Sequence, residues 1–105
     1  MIIVIATITC RPGTRSNFLN EFNQIVPDVL REKGCIEYAP TIDATTGLDK
    51  QHLNEDRVTI VEKWDSVEDL KAHLAAPHMI AYRPKVKDFV MGSELRVLES
   101  AKAFG

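Results

Sequence analysis

Residues 1–10, MIIVIATITC, are dominated by β-branched side chains, which crowd a helix but pack well on a pleated strand. One face carries Ile2, Val4, Ala6 and Ile8, and the other carries Ile3, Ile5, Thr7 and Thr9. Both faces begin apolar, the pattern of a central strand covered on two sides. The run is too short to cross a bilayer, which needs about 20 apolar residues, and it lacks the basic segment and small-residue cleavage site of a signal peptide. A membrane role is not expected.

Outward from this strand, Arg11-Pro12-Gly13 is a turn, and Thr14 or Ser16 can cap the segment that follows. From Arg15 to Lys33, Phe18, Phe22, Ile25, Val26, Val29 and Leu30 recur at helical spacing, with Pro27 expected to kink the helix. Gly34 stops it. Cys35–Ile42 is a second strand, and Pro40 assigns it to an edge or a bulge. Residues 43–56 are polar and too long for a tight hairpin, a length usually reserved for a functional or mobile connection. Arg57–Trp64 is a third strand with Val58, Ile60, Glu62 and Trp64 on one face. Asp65 or Ser66 caps a helix through Leu70 and Leu74, and Pro77 bends or restarts it. Met79, Tyr82, Val86, Phe89 and Val90 continue an apolar stripe across Pro84, and Ser93–Glu99 closes the chain as a short strand.

The 105 residues are too few for more than one domain, so residues 1–105 are read as a single unit. Its 45% hydrophobic and 27% charged content is that of a soluble globular chain, and a net charge of −2 supplies no basic field for nucleic acid. The order strand, helix, strand, strand, helix in two pieces, strand is α+β. Right-handed crossovers place both helical segments on one face of a four-stranded antiparallel sheet, the ferredoxin-like βαββαβ arrangement. The other sheet face would then expose a contiguous apolar patch, and a second copy of the same face is its simplest cover. A homodimer, forming a dimeric α/β barrel, is therefore expected. Cys10 and Cys35 fall at opposite ends of the sheet, so both are expected as free thiols in a cytoplasmic protein.

Few residues carry chemistry. Glu62 and Trp64 share a face with Val58 and Ile60, so Glu62 either sits on an apolar wall with a raised pKa, or at the strand end reaches solvent or pairs with a Lys or Arg. Trp64 is core or the wall of an aromatic pocket. His73 lies beside the apolar stripe of its helix, while His78 and Tyr82 are four apart and share a face. An imidazole beside an apolar cavity is the usual proton acceptor near neutral pH. The spacing of His73 and His78 gives no metal signature, and no phosphate loop or serine elbow is present.

Gly34-Cys35-Ile36-Glu37-Tyr38, Val61-Glu62-Lys63-Trp64-Asp65-Ser66 and Leu70-Lys71-Ala72-His73-Leu74-Ala75-Ala76-Pro77-His78 give the chain a resemblance to the antibiotic biosynthesis monooxygenase family, in its quinol monooxygenase branch. The resemblance runs from the first strand to about Leu98 and is more specific for fold than for reaction. It implies a homodimeric ferredoxin-like barrel with a ligand cavity between helices and sheet. It also implies oxidation of a small quinol or phenol by O₂ with no flavin, haem or metal cofactor. Haem-degrading relatives rely on a Trp and a following His at positions occupied here by His73 and Arg83, which argues against haem chemistry. The mechanism this suggests makes His73 or His78 the base, with Glu62 orienting or recharging that imidazole. Trp64 and Ile60 would face the ring, and Tyr82 or Arg83 would donate to the developing oxyanion. The rival readings are a dimeric binding or stress-response module for a small hydrophobic metabolite, and an isomerase on the same barrel.

Overall fold

The alternation at the N-terminus is realised as β1 (Ile2–Cys10) at the centre of a sheet. The computed structural model describes residues 1–102. After β1 come α1 (Arg15–Leu30), β2 (Cys35–Thr41), β3 (Arg57–Trp64), α2 (Val67–Leu74), α3 (Pro77–Val86), a 3₁₀ turn over Lys87–Phe89 and β4 (Val90–Leu98). The strands form one antiparallel sheet in the order β2-β3-β1-β4, the ferredoxin-like βαββαβ topology.

β1 and β3 pair from Ile2 opposite Trp64 to Thr9 opposite Arg57. Paired residues share a face, so Ile2, Val4 and Ala6 join Val58, Ile60, Glu62 and Trp64 beneath the helices. Phe18, Phe22, Ile25 and Val29 of α1, Leu70 of α2, and Met79, Tyr82 and Val86 of α3 are buried with them. Each helix thus covers the sheet with the stripe its sequence period sets.

Three boundaries differ from the sequence expectation. Helix α1 ends at Leu30, so Arg31–Lys33 form a turn and Glu32 leaves the helical register. Strand β2 ends one residue early, at Thr41. Strand β4 starts at Val90, three residues before the expected Ser93, because Arg11 N–H bonds the Phe89 carbonyl and the chain is already pairing with β1 at Cys10 opposite Val90. Gly92 therefore lies inside the strand. Pro40 does lie on an edge strand, where its missing N–H costs no ladder bond. The register shift of β2 is elsewhere, between Cys35 and Glu37. Pro77 opens α3 at its first turn, where proline is favoured.

The molecule measures 43 × 38 × 20 Å, and its short axis is the thickness of one helical layer on one sheet. Its radius of gyration, 14.7 Å, exceeds the roughly 13 Å of a compact chain this long. Ile3, Ile5, Thr59 and Val61 point away from the helices and are only partly buried. Strand β4 is exposed along most of its length, including Met91, Leu95 and Val97. Residues 42–56 run without helix or strand at the far end of the sheet from Trp64. Asp43 clamps their base by accepting from Arg57 at 2.6 Å and from the Asn54 N–H at 2.9 Å.

Candidate functional site

β3 delivers Glu62 and Trp64 to the helix side of the sheet, at the end where β2 begins. Trp64 has no exposed surface and Glu62 is 5% exposed. The indole Nε1–H donates to Glu62 Oε1 at 2.9 Å. Burial pushes the Glu62 carboxyl up to about 7, against the stabilising Trp64 bond and with a smaller push from the Glu32 charge. The sequence-level alternative of a solvent-exposed Glu62 is thereby excluded.

His73 descends from α2 onto the same aromatic cluster and is 2% exposed. Its ring centroid is 4.7 Å from that of Trp64 and 5.3 Å from that of Tyr38. Phe22 bridges Tyr38 and Tyr82, at 5.3 and 5.9 Å. Burial lowers the His73 pKa, and the hydrogen bond and charge of Glu32 offset part of that fall. The phenols of Tyr38 and Tyr82 are both raised, chiefly by burial.

Glu32 was not singled out by the sequence. From the turn after α1 it reaches His73 Nδ1 at 2.9 Å through Oε2, and at 3.2 Å through Oε1. The same Oε2 lies 2.6 Å from His78 Nε2. A carboxylate only accepts, so the ring nitrogens facing it are the donors. A neutral His73 then keeps its lone pair on Nε2. The fold thus unites two histidines that sequence spacing had kept apart. Glu62 bonds Trp64, and the carboxylate that touches both imidazoles is Glu32.

The remaining candidates separate. Ile60 is buried two residues before Glu62 on the same face. His78 and Tyr82 line one groove, of about 190 Å³, together with Asp28 and Lys85. Arg83 is exposed, donates to the Leu74 carbonyl, and lines a different, apolar groove of about 640 Å³ with Ile80 and Val90. A third groove, of about 580 Å³, has Glu32 in its wall and Ala72, Ala75, Ala76 and Pro77 along its α2–α3 side. Trp64 is therefore no open pocket wall: the space between helices and sheet at this point is filled by aromatic side chains, and the grooves approach it from outside. Among the described residues no group of three or more His, Cys, Asp or Glu is placed to hold a metal ion, and no helix is long and apolar enough to cross a membrane.

Residues 1–85 match the antibiotic biosynthesis monooxygenase family. The chain belongs to this family. It is 43% identical over 101 residues to a protein named probable quinol monooxygenase YgiN from Escherichia coli K12, covering 94% of this chain and 97% of that protein. The fold matches a putative antibiotic biosynthesis monooxygenase from Nitrosomonas europaea with a TM-score of 0.82 at 16% identity, covering 96% and 99% of the two chains. It matches another from Deinococcus radiodurans with a TM-score of 0.79 at 20% identity, covering 100% and 97%. The family assignment therefore agrees with the topology read from the strands.

Proposed function

We propose that the protein is an oxidoreductase that oxidises a small quinol or phenol with O₂ without flavin, haem or metal, His73 serving as the base. The observation that carries this reading is a buried imidazole held between Glu32 and Trp64, in a chain 43% identical to a probable quinol monooxygenase.

The chemistry asks little of the protein. His73 Nε2 takes a hydroxyl proton, and the resulting quinol anion is a better reductant than the quinol. The anion passes one electron to O₂, giving a semiquinone and superoxide. These join in a carbon–oxygen bond, and the imidazolium returns its proton to the peroxide. The neutral imidazole then takes the proton from the attacked ring carbon as the O–O bond breaks and passes it to the leaving hydroxide, so that quinol plus O₂ gives hydroxyquinone plus water. Aromatic walls around His73 exclude water and favour charge transfer between fixed groups. Glu62, bonded to Trp64 and titrating near neutrality, is a second proton reservoir within the same cluster. His73 Nε2 lies on the ring edge turned away from Glu32, so the quinol reaches it where the aromatic cluster opens and not from the groove beside Glu32. The working unit is a homodimer packed through the Ile3, Ile5 and Val61 face.

The test is O₂ uptake by chelator-treated protein supplied with reduced menadione. Wild type is expected to exceed autoxidation, and His73→Ala to fall by about 10²- to 10⁴-fold. A wild-type rate equal to autoxidation overturns the reading. Quenching of the single Trp by the quinone with no O₂ uptake would identify a binding module instead, and turnover without O₂ an isomerase.

A further inference from the structure

Proton abstraction explains why a buried imidazole is useful, but it leaves two facts unexplained. One carboxylate oxygen receives bonds from two histidines on two different helices. And that carboxylate is itself drawn in, its side chain only 13% exposed, although it follows the last turn of α1 where solvent is close. Taking a carboxylate out of water is costly unless partners compensate, and here the partners are the two imidazoles.

We propose that Glu32 is the positioning residue of the site, using His78 to hold its carboxylate in place and using that carboxylate to make His73 a base. The proposal rests on the reading of His73 as the proton acceptor. Glu32 accepts from His73 Nδ1, which fixes the tautomer with the lone pair on Nε2 and the ring orientation against Trp64. When His73 takes a proton, the imidazolium forms 2.9 Å from an existing negative charge. An imidazolium so deeply buried would otherwise be strongly disfavoured. His78 Nε2–H, at 2.6 Å from the same oxygen, prevents the carboxylate from swinging out to the groove and to Lys33, which also lines it.

Other charged and titratable groups surround His73. His78 and Arg83 act on it from α3 and Tyr38 packs on it from β2, while Glu62 stands behind Trp64 and shares the neighbourhood of Glu32 with Cys35. Glu62→Gln is therefore the control for any pH effect assigned to Glu32.

The experiment compares wild type, Glu32→Gln, Glu32→Asp and Glu62→Gln in aerobic oxidation of reduced menadione across pH, together with histidine NMR titrations. Glu32→Gln keeps the shape and removes the charge. It is expected to lower kcat by about 10²- to 10⁴-fold with KM changed less than about threefold. Because the Glu32 charge raises the His73 pKa, its loss moves the acidic limb of kcat to lower pH, and the NMR midpoint of His73 falls by about one pH unit or more. Glu32→Asp restores part of both effects, and it serves as the folded comparison should Glu32→Gln be unstable. Unchanged kcat and an unchanged limb in folded Glu32→Gln overturn the proposal, as does a limb that moves only in Glu62→Gln. A wild type with no turnover overturns the quinol reading alone. The NMR titration then decides Glu32 by itself, an unmoved His73 midpoint in Glu32→Gln counting against it.

Discussion

The indole N–H of Trp64 donates to the Glu62 carboxylate at 2.9 Å within a fully enclosed aromatic cluster. Burial outweighs this bond, so Glu62 titrates near 7 in the folded protein, well above its ordinary value of 4.5. The sign of the consequence follows from proton counts. Between about pH 4.5 and 7 the unfolded chain has lost the Glu62 proton while the folded chain keeps it, so stability falls as pH rises through this window. A shift of this size corresponds to something on the order of 3 kcal/mol. Glu62→Gln still accepts from Trp64 but does not titrate. The wild-type melting temperature should therefore drop relative to Glu62→Gln between pH 5 and pH 8, and the single Trp should report the titration in its fluorescence. Parallel melting curves for the two proteins across that range would refute a buried, near-neutral Glu62.

Gly34 closes the turn that presents Glu32. Its φ is +81°, the left-handed region in which a Cβ is disfavoured, and its carbonyl accepts from Asp65 N–H at 2.8 Å. A methyl built on Gly34 would overlap the Asp69 carboxylate and lie 2.8 Å from the Asp69 Cβ. Gly34→Ala should cost about 2 kcal/mol or more, of which the backbone conformation alone accounts for roughly 1–2 kcal/mol. In an Asp69→Ala background the increment should shrink, because the overlapping carboxylate is gone. Urea unfolding of the four proteins measures both numbers, and an equal cost in both backgrounds would remove Asp69 from the account.

What the sequence could disclose divides along the range of the interaction. Arg57–Trp64 was readable residue for residue because eight residues of strict alternation carry a period of two. The start of β4 was not, because Phe89 and Val90 prolong the helical stripe of α3 and Gly92 resembles punctuation, whereas the strand is started by pairing with β1. Glu62, Trp64, His73 and His78 stood out by residue type against an apolar background. Glu32 did not: it lies between Arg31 and Lys33 in a charged turn, 41 residues from His73 and 46 from His78. No local period marks a residue whose partners are brought to it by the packing of α2 and α3 beside α1. The one trace in the sequence is an acidic residue just before the Gly34 stop, where the last turn of a helix usually favours basic ones.

The uncovered sheet face makes its own prediction. Ile3, Ile5 and Val61 lie on the side of the sheet opposite the helices, with Thr7 and Thr59 beside them, and a single chain only partly buries them. Light scattering should find a dimer in solution. Ile5→Lys places a charge at the centre of that patch while leaving the helix-side core untouched, and it should yield a folded monomer. A monomeric wild type at the highest soluble concentration, or an Ile5→Lys protein that remains dimeric, would exclude this face as the interface.

The thiols report on the electrostatics of the candidate site from the side. Both are free, Cys10 buried and Cys35 partly so, and the intact monomer should show no loss of hydrogens to a disulfide. Burial pushes the Cys35 thiol up to about 11, with the negative charges of Glu32 and Glu62 adding to the rise. The thiolate is the nucleophile, so at pH 8 only about one Cys35 in a thousand is reactive. Alkylation by iodoacetamide should accordingly be roughly a hundredfold slower in the native protein than in urea. Glu32→Gln removes one of the charges opposing the thiolate and should accelerate the native reaction, with the unfolded rate unchanged. Mass spectrometry of timed samples measures both rates. A native Cys35 that reacts at the unfolded rate would show that neither burial nor the two carboxylates act on it, and would remove the electrostatic coupling between β2 and the Glu32 turn.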